Sequence, residues 1–106
     1  MKSIMHNKKD KTCYLCLMMY GDISPKQTQE HHCIFGTAGR AVAERLGLKV
    51  YLCLQHHIDG PEAVHNNAHN ALLLKIRAQE AYEIDHTREE WMAAVGRNYL
   101  DSKNGG

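Results

Sequence analysis

The run Val50-Tyr51-Leu52-Cys53-Leu54-Gln55-His56-His57 decides the fold. Val50, Tyr51 and Leu52 are good strand formers, so residues 48–52 read as a strand. Cys53 and His56 follow with two residues between them, a spacing that lets both side chains turn inward on one tight knuckle. Cys13-Tyr14-Leu15-Cys16 has the same spacing forty residues earlier. Joined, Cys13, Cys16, Cys53 and His56 make a Cys3His set, the donor set of a closed structural zinc site. A redox Cys-x-x-Cys would need a βαβ context that the pattern lacks, and plain burial of the cysteines is the other alternative.

Composition supports a metal staple. The chain has 106 residues, enough for one domain, and its large aliphatic residues are few. A thin core in a short chain needs a disulfide set or a metal. Four cysteines and eight histidines supply the donors. No apolar run approaches the length of a membrane span, and the polar, lysine-bearing start has no signal-like apolar region. The expectation is a cytoplasmic protein with reduced cysteines, which favours metal over disulfides. The formal net charge of +1 excludes nucleic-acid binding by bulk charge alone. A local basic patch or a bound cation would have to provide it.

Outward from the knuckle, the pattern is that of a small α+β domain. Residues 1–11, with Lys2, Lys8, Lys9 and Lys11, read as a flexible lead, with a phosphate-contacting arm as the alternative. A first strand is expected over 30–35, a loop over Gly36-Thr37-Ala38-Gly39, and a helix over 40–46 ended by Gly47. Residues 53–58 could open a helix, but Asp59-Gly60-Pro61 interrupts it. A helical part follows over 66–100. Its first helix, 66–85, carries Ala71, Leu74, Ala78, Ala81 and Tyr82 on one face. Its second begins at the capping box Thr87-Arg88-Glu89-Glu90 and runs to about Leu100. Residues 101–106 read as a tail. The zinc knuckle and strands occupy 12–65.

One zinc site leaves histidines over. His31 and His32 are adjacent in a strand and should point to opposite faces. His56 and His57 are also adjacent, and His65 follows. His6 and His86 are expected to face solvent, and Cys33 to be a small buried residue.

The motifs Glu30-His31-His32-Cys33-Ile34-Phe35-Gly36, then 50–57, then Gly60 to Val64-His65, resemble the HNH endonucleases. More narrowly they resemble the small phage-borne nucleases of the Ref (recombination enhancement) type, over about 13–100. The resemblance implies a ββα-metal (His-Me finger) fold with a zinc knuckle beside it. It implies a hydrolase that cuts DNA phosphodiester bonds with one catalytic divalent metal. His31, His57 and His65 would hold that metal, with His69 a rival to His65, and His32 would be the general base. Zn, Mn, Co, Ni and Mg stay open as the working metal. Arg40, Arg45 and Lys49 would contact DNA phosphates, and a recombination protein filament would be a partner. Two features depart from the family: His57 and His65 are eight residues apart, and the middle Asn that orients the base has no counterpart. The alternatives are a non-catalytic zinc-binding module for nucleic-acid or protein contact, and a nuclease fold without activity.

Overall fold

The computed structural model describes residues 1–100, and the expected tail over 101–106 lies outside the described residues. The protein is a small α+β domain built on two antiparallel strands, β1 (Thr28–His32) and β2 (Lys49–Cys53). Register pairs His32 with Lys49, His31 with Val50 and Thr28 with Cys53. Among the described residues four α-helices surround the pair: α1 (Tyr14–Tyr20), α2 (Thr37–Leu46), α3 (Ala68–Tyr82) and α4 (Arg88–Val95). A 3-10 turn spans Lys8–Asp10 and a π-helical turn spans Gln55–Asp59. No helix among the described residues is long and apolar enough to cross a membrane.

β1 ends at His32, short of the expected Phe35, because its partner runs out: the Cys33 amide still donates to the Leu48 carbonyl at 2.9 Å, and Gly47, at φ 74°, turns the partner strand away. Helix α2 begins at Thr37, three residues before the expected start. The Arg40 amide donates to the Gly36 carbonyl at 2.9 Å, so the glycine read as loop is the residue that starts the helix. Gly47 ends it in the left-handed region at φ 74°, where a Cβ would strike the Lys2 carbonyl.

The lysine-rich lead lies along the free edge of β2. The Ile4 amide donates to the Gly47 carbonyl at 3.0 Å, and the Ser3 hydroxyl donates to the Lys49 carbonyl. The Tyr51 amide donates to His6 Nδ1 at 3.1 Å, while His6 Nε2 sits 3.0 Å from the Thr12 hydroxyl. His6, expected in solvent, thus satisfies a strand amide that an edge would leave bare.

Helix α3 starts at Ala68, with Asn67 capping the Asn70 amide, and buries Ala71, Leu74, Ala78 and Tyr82 as its period requires. Its fully buried Gln79 accepts from the Tyr99 amide and donates to Glu83 and Asn98, tying down the chain after α4. The capping box forms as expected, with Thr87 and Glu90 exchanging bonds. α4 stops at Val95 rather than near Leu100, because Gly96 adopts φ 84° and Trp91 Nε1 donates to the Arg97 carbonyl at 2.7 Å. Leu15, Leu48, Val50, Leu52, Leu74 and Trp91 are fully enclosed and form the centre of the core.

Candidate metal centres

Cys13, Cys16, Cys53 and His56 converge in the interior, every one of them buried. Cys13 caps α1: its sulfur accepts from the Cys16 amide at 3.5 Å, so the first helical turn sets the spacing of the two sulfurs. Cys53 ends β2, and the π-helical turn brings His56 back over it. Nδ1 of His56 lies 3.6, 3.3 and 3.4 Å from the sulfurs of Cys13, Cys16 and Cys53. The Cys16 and Cys53 sulfurs are 3.9 Å apart. A tetrahedral zinc with ordinary bond lengths requires about 3.6 Å between sulfur and nitrogen and about 3.8 Å between sulfurs. The donors are spaced as that ion needs.

Burial, with Cys13 and Cys53 alongside, pushes the Cys16 thiol up to about 12, so a thiolate there needs a cation. Behind His56, Glu62 Oε2 lies 3.8 Å from Nε2, and the Tyr20 hydroxyl donates to Glu62 at 2.7 Å. A carboxylate behind a ligating imidazole is the usual outer support of a zinc site. The buried Cys3His cluster can therefore hold a structural metal such as zinc.

The second cluster grows from the same turn. His57, one residue on, faces the opposite way from His56, toward His31 and His65. The His31 ring centre is 5.4 Å from that of His57 and 5.5 Å from that of His65. The Nε2 atoms of His57 and His65 are 3.3 Å apart, and two imidazoles on one tetrahedral ion stand about 3.3 Å apart. His57 Nδ1 donates to Gln29 Oε1 at 2.7 Å, because an amide oxygen can only accept, and this leaves Nε2 with its lone pair toward the cluster.

His31 is 3% exposed, and its Nε2 is the one buried side-chain nitrogen or oxygen among the described residues without a hydrogen-bond partner. Burial first, then His57 and His65, push its pKa down to about 3, so the ring is neutral and able to ligate. The donor set fits a divalent ion with three imidazole ligands.

The loop carrying His65 is held by buried Ala63 and Val64 on one side and by polar residues on the other. The Asn66 side chain donates to the carbonyls of Ile58 and Gly60, and that of Asn70 to the Glu62 carbonyl. Gly60 closes the π-helical turn on the Gln55 carbonyl at 3.0 Å, where a Cβ would sit 2.6 Å from the same oxygen. His69 is exposed and joins none of the clusters among the described residues.

A cavity of about 470 Å³ opens over the imidazoles, lined by His31, His32, His57, His65, Phe35 and Arg40. His32 points away from His31, as strand alternation requires, and its Nε2 lies 3.3 Å from Glu44 Oε2. Arg40 is exposed at the cavity, and Arg45 is exposed on α2. Lys49 differs from its expected place at a phosphate: it is 6% exposed, with its ammonium 2.6 Å from Glu30 and 2.8 Å from Glu44. Cys33 is fully enclosed, and burial raises its thiol pKa. Gln29, Glu44 and Glu62 were not singled out in the sequence. Gln29 had a legible signal, since it lies two residues before His31 on the same strand face. Glu44 and Glu62 had none, because their positions depend on how α2 and the His65 loop fold back.

No family model, no curated protein and no solved structure matches this chain. The likeness to HNH nucleases rests on the motifs quoted above.

Proposed function

We propose that the chain is a metal-dependent DNA endonuclease of the ββα-metal type, cutting by one-metal, histidine general-base chemistry. One observation carries the reading. Three imidazoles converge in an open cavity, one has an unpartnered buried nitrogen, and a fourth histidine stands beside them. A protein needing only a structural knuckle has that in the Cys3His cluster and has no use for His31, His57 and His65 together. In this reading β1, β2 and the π-helical turn are the ββα-metal element, with α2 inserted between the strands.

His31, His57 and His65 would hold the divalent ion. When bound, the ion supplies positive charge to a phosphate oxygen and to the leaving 3′ oxygen. The protein's own part is the proton. With Nε2 turned to Glu44, His32 has Nδ1 free to take a proton from the attacking water. The water oxygen bonds to phosphorus, the P–O3′ bond breaks, and the leaving oxygen ends as a hydroxyl with a solvent proton. Arg40 at the cavity mouth and the lysines of the docked lead would position the phosphate backbone without reading sequence.

Plasmid nicking with a panel of Zn, Mn, Co, Ni and Mg tests this. The wild type is expected to nick with at least one of them, and His31→Ala to recover activity as the metal concentration rises. A wild type that binds metal in both clusters yet nicks nothing overturns the reading. One class of bound metal, lost with Cys16→Ser, favours the non-catalytic zinc module.

A further inference from the structure

We propose that Glu44 is the positioning residue of His32, fixing the ring so that Nδ1 is the nitrogen that takes the proton. The inference rests on the nuclease reading above. It starts from register: His32 closes β1 directly opposite Lys49, the first residue of β2. Glu44 reaches the same point from α2. Its Oε2 lies 3.3 Å from His32 Nε2 and 2.8 Å from Lys49 Nζ, and Lys49 Nζ is 2.6 Å from Glu30 Oε1.

These contacts form a chain from Glu30 through Lys49 and Glu44 to His32. The lysine side chain is 8% exposed, and a buried ammonium is costly unless its partners are fixed. Lys49 thereby anchors Glu44, whose own side chain is half exposed and would otherwise be free to turn into solvent. The oxygens and nitrogen of Glu30, His32 and Glu44 also lie close enough to hold a cation. Lys49 already places its positive charge between the two carboxylates, so the cluster is satisfied without a metal.

The consequence for His32 follows from its two ring nitrogens. A neutral imidazole has one donor and one acceptor, and a carboxylate can only accept. Glu44 therefore selects the Nε2–H tautomer and leaves the Nδ1 lone pair free. A carboxylate behind the base also stabilises the imidazolium once the proton has moved, the logic of the serine-protease triad. The loop between β1 and α2 has no asparagine for this role, and α2 supplies a glutamate.

The test compares wild type, His32→Ala, Glu44→Ala and the similarly sized Glu44→Met, which has no oxygen to accept from the ring. Nitrogen-15 NMR of the His32 ring reads the tautomer without any turnover. Wild type should show Nε2–H, and both Glu44 variants should lose that preference. In the nicking assay kcat should fall about 10–100-fold in the Glu44 variants, with KM and the affinity for the activating metal nearly unchanged. If Glu44→Ala does not fold, Glu44→Met gives the same readings. A His32 ring that is Nδ1–H in wild type, or active Glu44 variants beside an inactive His32→Ala, overturns the proposal alone. A wild type that nicks no DNA overturns the nuclease reading and this proposal with it.

Discussion

His56 and His57 are consecutive, yet they serve two clusters of opposite character. His56 turns inward to three buried sulfurs. His57 turns outward to a cavity shared with one buried and one exposed histidine. The inner set has four donors, including three that become anionic on metal binding, and no room for a further ligand. The outer set has three neutral donors and an open side. The first is suited to a structural ion, and only the second leaves a position for water or substrate, as the proposed reaction requires. Successive side chains of a helical turn point in different directions, so the one π-helical turn can serve both clusters.

The largest effect should come from the inner cluster. Cys53→Ser removes one thiolate, and structural zinc contributes about 10 kcal/mol or more in small domains, as much as a whole domain's stability. The variant, or wild type stripped by a strong chelator, should lose cooperative thermal unfolding by circular dichroism. Unchanged unfolding after verified metal loss would break the contrast between the two clusters. Removing metal from the outer cluster alone should leave the melt nearly intact, and elemental analysis should show one tight and one weaker ion.

The next effect lies at the outer cluster. His32→Ala should lower the nicking rate by about 10²–10⁴-fold with folding and both metals retained, the usual loss for a general base. His31→Ala and His57→Ala should instead lower metal affinity and recover partly at high metal. Loss of metal in His32→Ala but not in His31→Ala would exchange the two roles.

Legibility in the sequence differed between the two regions. The Cys3His set was readable because each pair of donors is local, with two residues between them, and only the joining of the pairs is tertiary. The capping box at Thr87 and the glycine stop at Gly47 were readable for the same reason. The outer cluster was partly readable, from the doubled histidines and strand alternation. Of what holds it in place, only Gln29 had a local signal, its shared strand face with His31. Glu44 and Lys49 act through cross-strand register and the return of α2, which no local pattern encodes. The docked lead was missed because lysines say solvent, while its anchoring groups, the Ser3 hydroxyl and the His6 ring, say little by themselves.

The outer supports of the two clusters allow a sharper comparison. Gln29→Ala removes the oxygen that accepts from His57 Nδ1 and frees the ring to take the other tautomer. Metal affinity at the outer cluster should fall about 10–100-fold, the usual cost of such a partner. Titration with Mn or Co, followed by fluorescence or absorbance, measures it. The inner cluster should be untouched, so the melting temperature should hardly move. An affinity within twofold of wild type would show that the cavity walls, not Gln29, orient His57.

The smallest effect belongs to Glu62, which stands behind His56 as Gln29 stands behind His57. Its carboxylate is 3.8 Å from Nε2, beyond hydrogen-bond reach, and its side chain is substantially exposed. His56 is also enclosed by three sulfurs and buried on every side, so its ring has little freedom to lose. Glu62→Ala should therefore weaken zinc retention by about tenfold or less, the lower edge of what an outer partner contributes. Competition with a chromogenic chelator reads this directly. A loss as large as that of Gln29→Ala at the outer cluster would mean that burial does not hold the His56 ring. The closed centre would then depend on its outer support as much as the open one does.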